Sequence, residues 1–355
     1  MNWRKTVTGD FVIFSAAARA FGSYGMNYMS WEVKMRTRIC GTGSALPGRE
    51  VTNDDLSRIM DTSDDWIRSR TGIGKRHLAT EETLAGLAAA AARQALAEAE
   101  MKPEELDMIL AATLSADKIL PSLACELQRE LGAVHAVAFD INAACSGFLF
   151  ALQTADAYIQ CGVCKNVLVV GGEILSKLMD WNDRSTCVLF GDGAGAAVVR
   201  ADKEFGILGS VQGSDGTKGD ALLCENRRNN NPYVKNDTAL PYVSMDGQAI
   251  YKFAVRTVPK AVMEAVLKAG LAIEDIDLFL LHQANIRILE AVSRRLKAPM
   301  EKFPTNLESC GNISAGSVPV LLDYVNQKGM IQKGDKIVLA GFGAGLTWGA
   351  SVLTW

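Results

Sequence analysis

The stretch Ala136-Val-Ala-Phe-Asp-Ile-Asn-Ala-Ala-Cys-Ser-Gly147 decides the fold, because it changes from a short apolar run to a helical pattern within a few residues. The run has the length of a strand, and from Phe148 onward the apolar positions follow helical spacing. Cys145 therefore lies at a sharp turn from a strand into the N-terminus of a helix. Unpaired backbone N–H groups and the helix dipole favour a thiolate there, so the sequence predicts a reactive cysteine with a lowered pKa.

Composition limits the classes of function. The chain has 355 residues, of which 48% are hydrophobic, and this is typical of a globular protein of one large or two fused domains. The net charge of -3 gives no basic field, so we expect no nucleic-acid partner. Eight cysteines in ordinary contexts favour a reducing cytoplasm over a disulfide framework. The CxxC of Cys161 and Cys164 lacks a second pair of ligands, so no metal site is expected.

Residues 1–34 form a leader ahead of the first clear strand pattern, which follows Met35. The apolar run in this leader, 11–20, is too short to span a membrane, and Asp10 beside it weakens a signal peptide. We expect the leader to be disordered, or to precede a true start at Met35, and we expect no membrane association. The remainder is divided into an N-terminal half, 35–204, and a C-terminal half, 205–355.

The C-terminal half repeats the N-terminal half at a constant offset. Segments 104–110 and 165–171 match segments 274–280 and 335–341, and both pairs differ by 170 residues (274 − 104 and 335 − 165). A constant offset over several elements implies two copies of one strand-and-helix unit. In this register Asn142 corresponds to Asn312 and Cys145 to Ala315, so only one half carries the thiol.

Local signals place several other elements. Asn53 can cap a helix over 54–60, and Ser63 can cap another that begins at Asp64. The segment 81–100 is rich in alanine and leucine and predicts a long helix. Alternating strands and helices of this kind predict an α/β fold, in which loops at strand ends carry the chemistry.

Two polar residues are expected to meet Cys145. His282 directly follows the predicted strand 278–281, and Asn312 lies in the turn that corresponds to the turn of Cys145, so superposing the halves brings the three loops together. In a hydrolase the imidazole would deprotonate the thiol and the amide would orient the imidazole. In a decarboxylating condensing enzyme both side chains would instead donate to a thioester oxygen. Spacing alone leaves both chemistries open.

Four motifs in their order and spacing resemble β-ketoacyl-acyl carrier protein synthase III, the family that initiates type II fatty acid synthesis. The resemblance covers residues 35–355 and implies a thiolase fold, with duplicated halves in a five-layer α-β-α-β-α arrangement, and a homodimer. The motifs are Asn142-Ala-Ala-Cys-Ser-Gly147, His282-Gln-Ala-Asn285, Gly311-Asn-Ile-Ser-Ala-Gly-Ser-Val-Pro319 and Gly341-Phe-Gly-Ala-Gly-Leu-Thr-Trp-Gly349.

The resemblance also implies roles for the three residues. Cys145 would accept an acyl group from acyl-CoA, and His282 and Asn312 would promote decarboxylation of malonyl-acyl carrier protein, so that the new carbanion attacks the acyl-cysteine. Backbone N–H groups of Cys145 and Ala344 would form the oxyanion hole, although the family more usually has glycine at the second position. No cofactor is implied beyond these substrates. The alternatives are a starter enzyme of a polyketide or quinolone-type pathway and a catalytically silent thiolase-fold partner, which the intact set disfavours.

Binding residues are carried over in the same way. The implied CoA contacts are Trp66, Arg70, Arg184 and Asn285, with the adenine between Trp66 and Arg184. The implied contacts with the acidic carrier protein are Gln283, Arg287, Arg294 and Arg295. Leu120 would cross the dimer interface and close the partner's primer pocket. An aromatic residue is often found there, so leucine predicts room for short straight or branched primers.

Overall fold

Apolar runs of strand length form the sheets of the computed structural model, which describes residues 35–236 and 241–355. The leader, residues 1–34, lies outside the described part, so the expectations about it stay predictions. The strands are β1 (Arg36–Ala45), β2 (Arg49–Thr52), β3 (Lys75–Leu78), β4 (Met108–Ala112), β5 (Val137–Ile141), β6 (Asn166–Glu173), β7 (Gly193–Asp202), β8 (Gly206–Ser214), β9 (Leu222–Leu223), β10 (Ser244–Met245), β11 (Leu278–Leu281), β12 (Lys336–Gly343) and β13 (Thr347–Thr354).

Two larger sheets carry the fold. The first has the order β1-β7-β6-β4-β5, with β4 parallel to β5 and β6 and with β7 antiparallel to both neighbours. The second has the order β11-β12-β13-β8, with β11 parallel to β12 and with β13 antiparallel to both neighbours. The last strand of the first sheet, β7, ends at Asp202, and β8 of the second sheet begins at Gly206. The predicted boundary between the two halves, at residues 204 and 205, lies between these strands and stays a prediction.

Several helices begin at residues whose side chains cap them. Ser63 accepts the Trp66 N–H as predicted, and Thr83 and Ser122 cap the next two long helices in the same way. No helix in the described part is both long and apolar enough to cross a membrane. The helices are α1 (Asn53–Ser57), α2 (Asp64–Thr71), α3 (Leu84–Glu98), α4 (Leu123–Leu131), α5 (Gly147–Gln160), α6 (Gly247–Lys268), α7 (Ile286–Leu296), α8 (Leu307–Cys310) and α9 (Ser317–Gln327).

The helices and sheets stack in five layers. Helices α5 and α9 share one apolar core with the inner faces of both sheets, so they form the central layer. Helices α3 and α4 pack on the outer face of the first sheet, and α6 and α7 pack on the outer face of the second. The α-β-α-β-α arrangement expected from the resemblance is therefore confirmed.

The duplication is also visible in the backbone. Strand β1 begins at residue 36 and β8 at residue 206, and helices α5 and α9 begin at 147 and 317, which gives the offset of 170 in both cases. Ala144 and Ser314, also 170 apart, share the left-handed φ values of 47° and 48°. The halves differ at the edge of the sheet, because the position of β5 corresponds to the short helix α8 rather than to a strand.

One predicted cap was wrong by one residue. Thr52, not Asn53, caps α1, because Thr52 and Asp55 satisfy each other's backbone N–H groups in a capping box. Asn53 is buried instead, and its amide donates to the carbonyl of Ile73 and to Asp64 at 2.8 Å each. A polar residue can thus serve tertiary packing where local propensity suggests a cap.

Candidate active site

Three loops meet at one cavity of about 630 Å³. Cys145, His282 and Asn312 all line it, so the expectation that the duplicated halves bring these residues together is confirmed. Most of the remaining wall is apolar, and it includes the segment 188–190, the start of α6 and Phe342. A cavity of this size, with a few convergent polar groups, suits a small-molecule substrate.

The turn that carries Cys145 is tight. Ala144 has a φ of 47°, and a short 3-10 turn over Ala144–Ser146 leads directly into α5, so the thiol stands at a helix N-terminus as predicted. Gly343 lies against this turn, and a Cβ on it would be 2.6 Å from the backbone N of Cys145. Glycine is therefore required at 343 for the end of β12 to approach the nucleophile.

The predicted low pKa of Cys145 was wrong for the resting protein. Burial raises the pKa of the Cys145 thiol to about 12, while the hydroxyl of Ser314 opposes this rise and the carboxylate of Glu173 adds to it. Loss of water around the sulfur disfavours the thiolate more strongly than the helix terminus favours it. The resting thiol is therefore protonated at neutral pH.

His282 is positioned by the strand that precedes it. Its backbone N–H donates to the carbonyl of Ala340 at 2.8 Å, and its ring packs edge-on against Phe342, with ring centres 5.5 Å apart. Burial lowers the pKa of His282 to about 3, so the imidazole is neutral at physiological pH. Its Nδ1 atom is buried and has no hydrogen-bond partner in the described structure.

Asn312 is held by its own backbone. Its N–H donates to the carbonyl of Leu189 at 2.9 Å, and its carbonyl accepts from Gly191 at 3.0 Å. The side-chain Oδ1 accepts from the N–H of Ser314 at 2.8 Å, so the Nδ2 group remains as the donor that can reach the cavity. The amide oxygen is used within the turn, and the Nδ1 atom of His282 makes no hydrogen bond to Asn312 in the described structure.

Ala344 follows Gly343, the residue that packs on Cys145, so its N–H belongs to the same corner of the cavity. The hydroxyl of Thr347 ties this corner together, because it lies 3.1 Å from the carbonyl of Ala143 and 3.0 Å from that of Ala344. It is also 2.7 Å from the hydroxyl of Ser146. Thr347 thus links the turn of the nucleophile to the turn of the second predicted oxyanion donor.

Two arginines lie close to the ring of Trp66. The Arg70 guanidinium is 4.6 Å from the centre of the indole, and the Arg184 guanidinium is 5.1 Å from it. Arg184 also donates to the backbone carbonyl and the carboxylate of Asp61. A flat ring between the indole and a guanidinium needs about 3.5 Å on each side, or about 7 Å in all, so the present distance between Trp66 and Arg184 leaves no room for one.

The residues after His282 have different environments. Asn285 caps α7 through its Oδ1 and donates from Nδ2 to the carbonyl of Arg70 at 2.9 Å, while it also lines the cavity. Arg287 is exposed, lines the cavity and donates to the carbonyl of Ser69 at 2.7 Å. Gln283 is only 1% exposed, donates to the carbonyl of Leu281 and accepts from Thr305. Its predicted contact with the carrier protein is therefore wrong, because its amide is buried and used internally.

The other predicted contacts lie on the surface. Arg294 and Arg295 are exposed in the last turn of α7, and Arg294 is 4.0 Å from Glu290. Leu120 is 84% exposed and does not line the cavity of its own chain. Its role as a gate to a partner's pocket therefore stays a prediction.

Sequence reasoning missed three polar residues at the site. Ser314 lies inside the motif 311–319 and Thr347 inside the motif 341–349, but neither position carries a signal of its own. Glu173 does carry one, since it is a carboxylate at the end of the otherwise apolar and glycine run Val167-Leu-Val-Val-Gly-Gly172. A charged residue at the end of a buried strand points to a buried functional or structural group.

Comparisons with known proteins identify the family of the chain. The family model described as 3-oxoacyl-[acyl-carrier-protein] synthase III matches residues 139–216, and that of its C-terminal part matches residues 266–355. The β-ketoacyl-[acyl-carrier-protein] synthase III of Clostridium acetobutylicum is 48% identical over 318 residues, which cover 89% of this chain and 98% of the relative.

Solved structures give the same result. The 3-oxoacyl-[acyl-carrier-protein] synthase III from Aquifex aeolicus is 45% identical with a TM-score of 0.84, and the match covers 90% of this chain and 100% of that one. The priming β-ketosynthase from the R1128 polyketide biosynthetic pathway is 36% identical with a TM-score of 0.85, covering 91% and 97%. The chain therefore belongs to the β-ketoacyl-acyl carrier protein synthase III family, the condensing acyltransferases with the thiolase fold.

Proposed function

We propose that the protein condenses an acyl-CoA primer with malonyl-acyl carrier protein, with loss of carbon dioxide, and so initiates fatty acid biosynthesis through an acyl-cysteine at Cys145. The observation that carries this proposal is the hydrogen bonding of the Asn312 and His282 side chains. The Asn312 oxygen is used by Ser314, and the His282 Nδ1 is unpartnered, so no amide orients the imidazole as a hydrolase requires. Both side chains remain free to donate to one substrate oxygen.

The first half-reaction is acyl transfer. The sulfur of Cys145 attacks the thioester carbon of acyl-CoA, the oxyanion is held by the N–H groups of Cys145 and Ala344, and coenzyme A leaves as a thiolate. Preorganised backbone donors stabilise such an oxyanion without rearrangement. The link from Thr347 to both turns supports this pairing of donors.

The second half-reaction is decarboxylation and condensation. His282 and the Nδ2 group of Asn312 donate to the thioester oxygen of malonyl-acyl carrier protein, so the enolate formed as carbon dioxide leaves is stabilised. Its carbanion carbon attacks the acyl-cysteine, and the sulfur of Cys145 leaves. The product is a 3-oxoacyl-acyl carrier protein, and no group beyond the two substrates is needed.

The surface of the cavity mouth supports the proposed binding of substrates. Trp66, Arg70 and Arg184 offer a flat ring and two cations to the nucleotide of coenzyme A, and Asn285 faces the channel towards Cys145. Arg287, Arg294 and Arg295 give α7 a row of positive charge for the acidic carrier protein. Carrier proteins of other pathways would meet the same charges, and the structural match to a polyketide priming enzyme keeps that alternative.

The free edge of the first sheet supports a homodimer. Strand β5 has β4 on one side and no neighbour on the other among the described strands. Val137 on this strand is 59% exposed, and Ile119 and Leu120, in the segment between β4 and α4, are 74% and 84% exposed. Exposed apolar groups at a sheet edge are a liability in a monomer and are typical of an interface.

The eight free cysteines support a reducing, cytoplasmic location.

The proposal is tested by intact-protein mass spectrometry after exposure to acetyl-, butyryl-, isobutyryl- and malonyl-CoA. We expect the mass of one acyl group on Cys145 with at least one of the first three, and its loss when malonyl-acyl carrier protein is added. Absence of any acyl adduct across the panel, or loss of the adduct in buffer alone at the same rate, would contradict it.

The rate of decarboxylation should not fall as the pH drops through the range in which an ordinary histidine becomes protonated. Because burial lowers the pKa of His282 to about 3, the imidazole stays neutral as the pH falls through the ordinary histidine range near 6.5. We expect the rate at which Cys145→Ala decarboxylates malonyl-acyl carrier protein to be flat between about pH 5 and 8. A decline with a midpoint near 6.5 would show that His282 titrates normally and would contradict the buried, neutral ring.

Charge reversal on α7 should weaken binding of the carrier protein. Charges on the rim act mainly on association and are screened by salt, so Arg294→Glu with Arg295→Glu should raise the KM for malonyl-acyl carrier protein several-fold at low salt, and less at high salt. Acylation by acyl-CoA should be unchanged. Arg129→Glu, an exposed arginine on α4, is the matched control, and equal effects of both changes would remove α7 from the docking surface.

Leu120 should control primer size through the partner's pocket. A larger ring at this position reduces the space for the primer, so Leu120→Phe should lower acylation by butyryl- and isobutyryl-CoA relative to acetyl-CoA. The exposed position of Leu120 in its own chain predicts little effect on the melting temperature of that chain. An unchanged ratio among the three primers would show that the gate assignment is wrong.

A further inference from the structure

Arg76 lies on β3 and is fully buried, with an exposure of 0%. Its guanidinium donates from Nη2 to the carbonyl of Val188 at 2.7 Å. From Nη1 it donates to the side-chain oxygen of Asn53 at 2.8 Å and to the carbonyl of Val51 at 3.2 Å. These acceptors are all neutral oxygens, and Nε has no partner in the described structure. Because burying a cation against neutral groups is costly, this arrangement points to a specific task for the guanidinium.

The bond to Val188 reaches the segment that holds Asn312. The next carbonyl, that of Leu189, accepts the Asn312 N–H at 2.9 Å, and the Gly191 N–H donates to the Asn312 carbonyl at 3.0 Å. These two bonds form a parallel bridge between Phe190 and Asn312. The guanidinium therefore fixes one peptide of the segment to which both backbone groups of Asn312 are bonded.

The stem of Arg76 packs against the same bridge. A Cβ on Gly191 would lie 3.2 Å from the Cβ of Arg76, and a Cβ on Gly311 would lie 3.3 Å from it. Gly311 directly precedes Asn312 and has a left-handed φ of 66°. Arg76 therefore contacts the residue before Asn312 as well as the residue that bonds the Asn312 carbonyl.

The other acceptors of Arg76 are themselves fixed. Asn53 is 1% exposed, and its amide donates to Asp64 and to the carbonyl of Ile73 at 2.8 Å each. Val51 belongs to β2, which pairs with β3, and it is the register partner of Arg76. The guanidinium is thus anchored in the N-terminal part of the chain and can fix the active-site segment from there.

The turn of Cys145 is held by a different group. The hydroxyl of Thr347 lies 3.1 Å from the carbonyl of Ala143 in this turn. None of the hydrogen bonds that Arg76 makes in the described part of the chain involves the turn. Loss of the guanidinium should therefore displace Asn312 more than it displaces the thiol.

We propose that Arg76 is a positioning residue for Asn312, and that it holds the Nδ2 group where it donates to the thioester oxygen of malonyl-acyl carrier protein. This inference rests on the proposed function. Arg76 does not line the cavity, so it acts on decarboxylation through Asn312 and not on the substrate. Acyl transfer from acyl-CoA does not use the Asn312 amide and should depend on Arg76 much less.

The test compares the two half-reactions in the full chain. Acylation by acetyl-CoA is followed by rapid quench and intact-protein mass spectrometry, and decarboxylation by release of labelled carbon dioxide from malonyl-acyl carrier protein. In Arg76→Met decarboxylation should fall about a hundredfold, since a displacement of about 1 Å at a reacting group can cost that much. Acylation should stay within about threefold of the wild type, the cost of one modest hydrogen bond.

Arg76→Lys is the conservative variant. It keeps the charge and a donor, but an ammonium cannot bond the three acceptors in the planar geometry of a guanidinium. Its decarboxylation rate should lie between those of Arg76→Met and the wild type. This partial rescue would show that the donors, and not only the volume of the side chain, position Asn312.

A double variant separates positioning from a general structural role. If Arg76 acts through Asn312, adding Arg76→Met to Asn312→Ala should lower decarboxylation by less than about threefold further, because the amide that it positions is already absent. A structural role would instead lower the rate by the same factor in both backgrounds. The comparison therefore does not depend on how much stability Arg76→Met loses.

Asp323→Ala is the matched control for loss of a buried charge. Asp323 is 4% exposed on α9, accepts from the hydroxyls of Thr42 and Ser44, and does not line the cavity. This variant should lower the melting temperature and leave the ratio of the two half-reactions unchanged.

The outcomes separate the two claims. If Asn312→Ala decarboxylates at the wild-type rate, the role of Asn312 in the proposed function is overturned, and the role of Arg76 with it. If Asn312→Ala behaves as expected, equal losses in both half-reactions of the Arg76 variants, or a fully additive double variant, would overturn the positioning role alone. If Arg76→Met does not fold, Arg76→Lys, alone and combined with Asn312→Ala, decides.

Discussion

Replacing Cys145 by alanine is expected to abolish acyl-enzyme formation and to lower the rate of condensation by on the order of a millionfold. The cavity offers no second thiol, since among the described residues Cys145 is the one cysteine that lines it. The same variant should still decarboxylate malonyl-acyl carrier protein, because the enolate is held by His282 and Asn312 and needs no sulfur. Mass spectrometry after acyl-CoA treatment and release of labelled carbon dioxide measure the two steps separately.

Cys164→Ala is the matched control for this result. Cys164 is also buried and free, but it lies just before β6 and does not line the cavity. It should acylate like the wild type. An acyl group on the Cys145→Ala protein would show that another residue is the nucleophile, and a complete loss of decarboxylation would show that the two half-reactions share more than the cavity.

Asn312→Ala is expected to show the opposite pattern. It removes the Nδ2 donor, and loss of one donor to a developing oxyanion costs about a hundredfold to a thousandfold in rate, or about 3 to 4 kcal/mol. Decarboxylation should fall by that amount, while Cys145 still becomes acylated. Asn312→Asp sharpens the test, because it keeps the acceptor for the Ser314 N–H but has no donor and adds a negative charge beside the enolate.

The control for this prediction comes from the duplicated half. Asn142 accepts the N–H of Ala144 at 3.2 Å, as Asn312 accepts that of Ser314, but Asn142 is exposed and does not line the cavity. Asn142→Ala should therefore leave decarboxylation within about threefold of wild type, the cost of one modest hydrogen bond in the turn. If Asn312→Ala decarboxylates at the wild-type rate, Asn312 does not hold the enolate.

The meeting of the three loops could be predicted from the sequence because matching segments of the two halves reveal the duplication. The constant offset of 170 places Asn312 in the turn equivalent to that of Cys145, and the strand before His282 ends at the same edge. The layer order followed from the family resemblance. What the offset did not show is that the fifth strand lacks a counterpart, since α8 occupies that position.

The pKa of Cys145 could not be predicted, because it depends on burial by segments far apart in the chain. A helix N-terminus is visible in the sequence, whereas Ser314 and Glu173 approach the thiol only through tertiary packing. The direction of the Gln283 side chain could not be predicted for the same reason. It follows His282 by one residue, yet its side chain turns into the protein towards Thr305 instead of to the surface.

The spacing of Trp66 and Arg184 is a third case. The family resemblance implied that the two flank the adenine of coenzyme A, and the structure brings them together at 5.1 Å. That distance is set by the bond from Arg184 to Asp61, which lies 123 residues away in the chain and has no sequence signal. The pattern of residues therefore does not reveal how close these two side chains lie.

The step that defines a condensing enzyme is the passage of the acyl group on Cys145 to carbon and not to water. The most direct measurement is a single turnover in which enzyme carrying an isotopically labelled acetyl group on Cys145 is mixed with malonyl-acyl carrier protein. The predicted result is that the label leaves Cys145 and appears in a 3-oxoacyl-acyl carrier protein, with one carbon dioxide released for each acyl group. Release of the label as free acetate, or its retention on Cys145, would contradict the account.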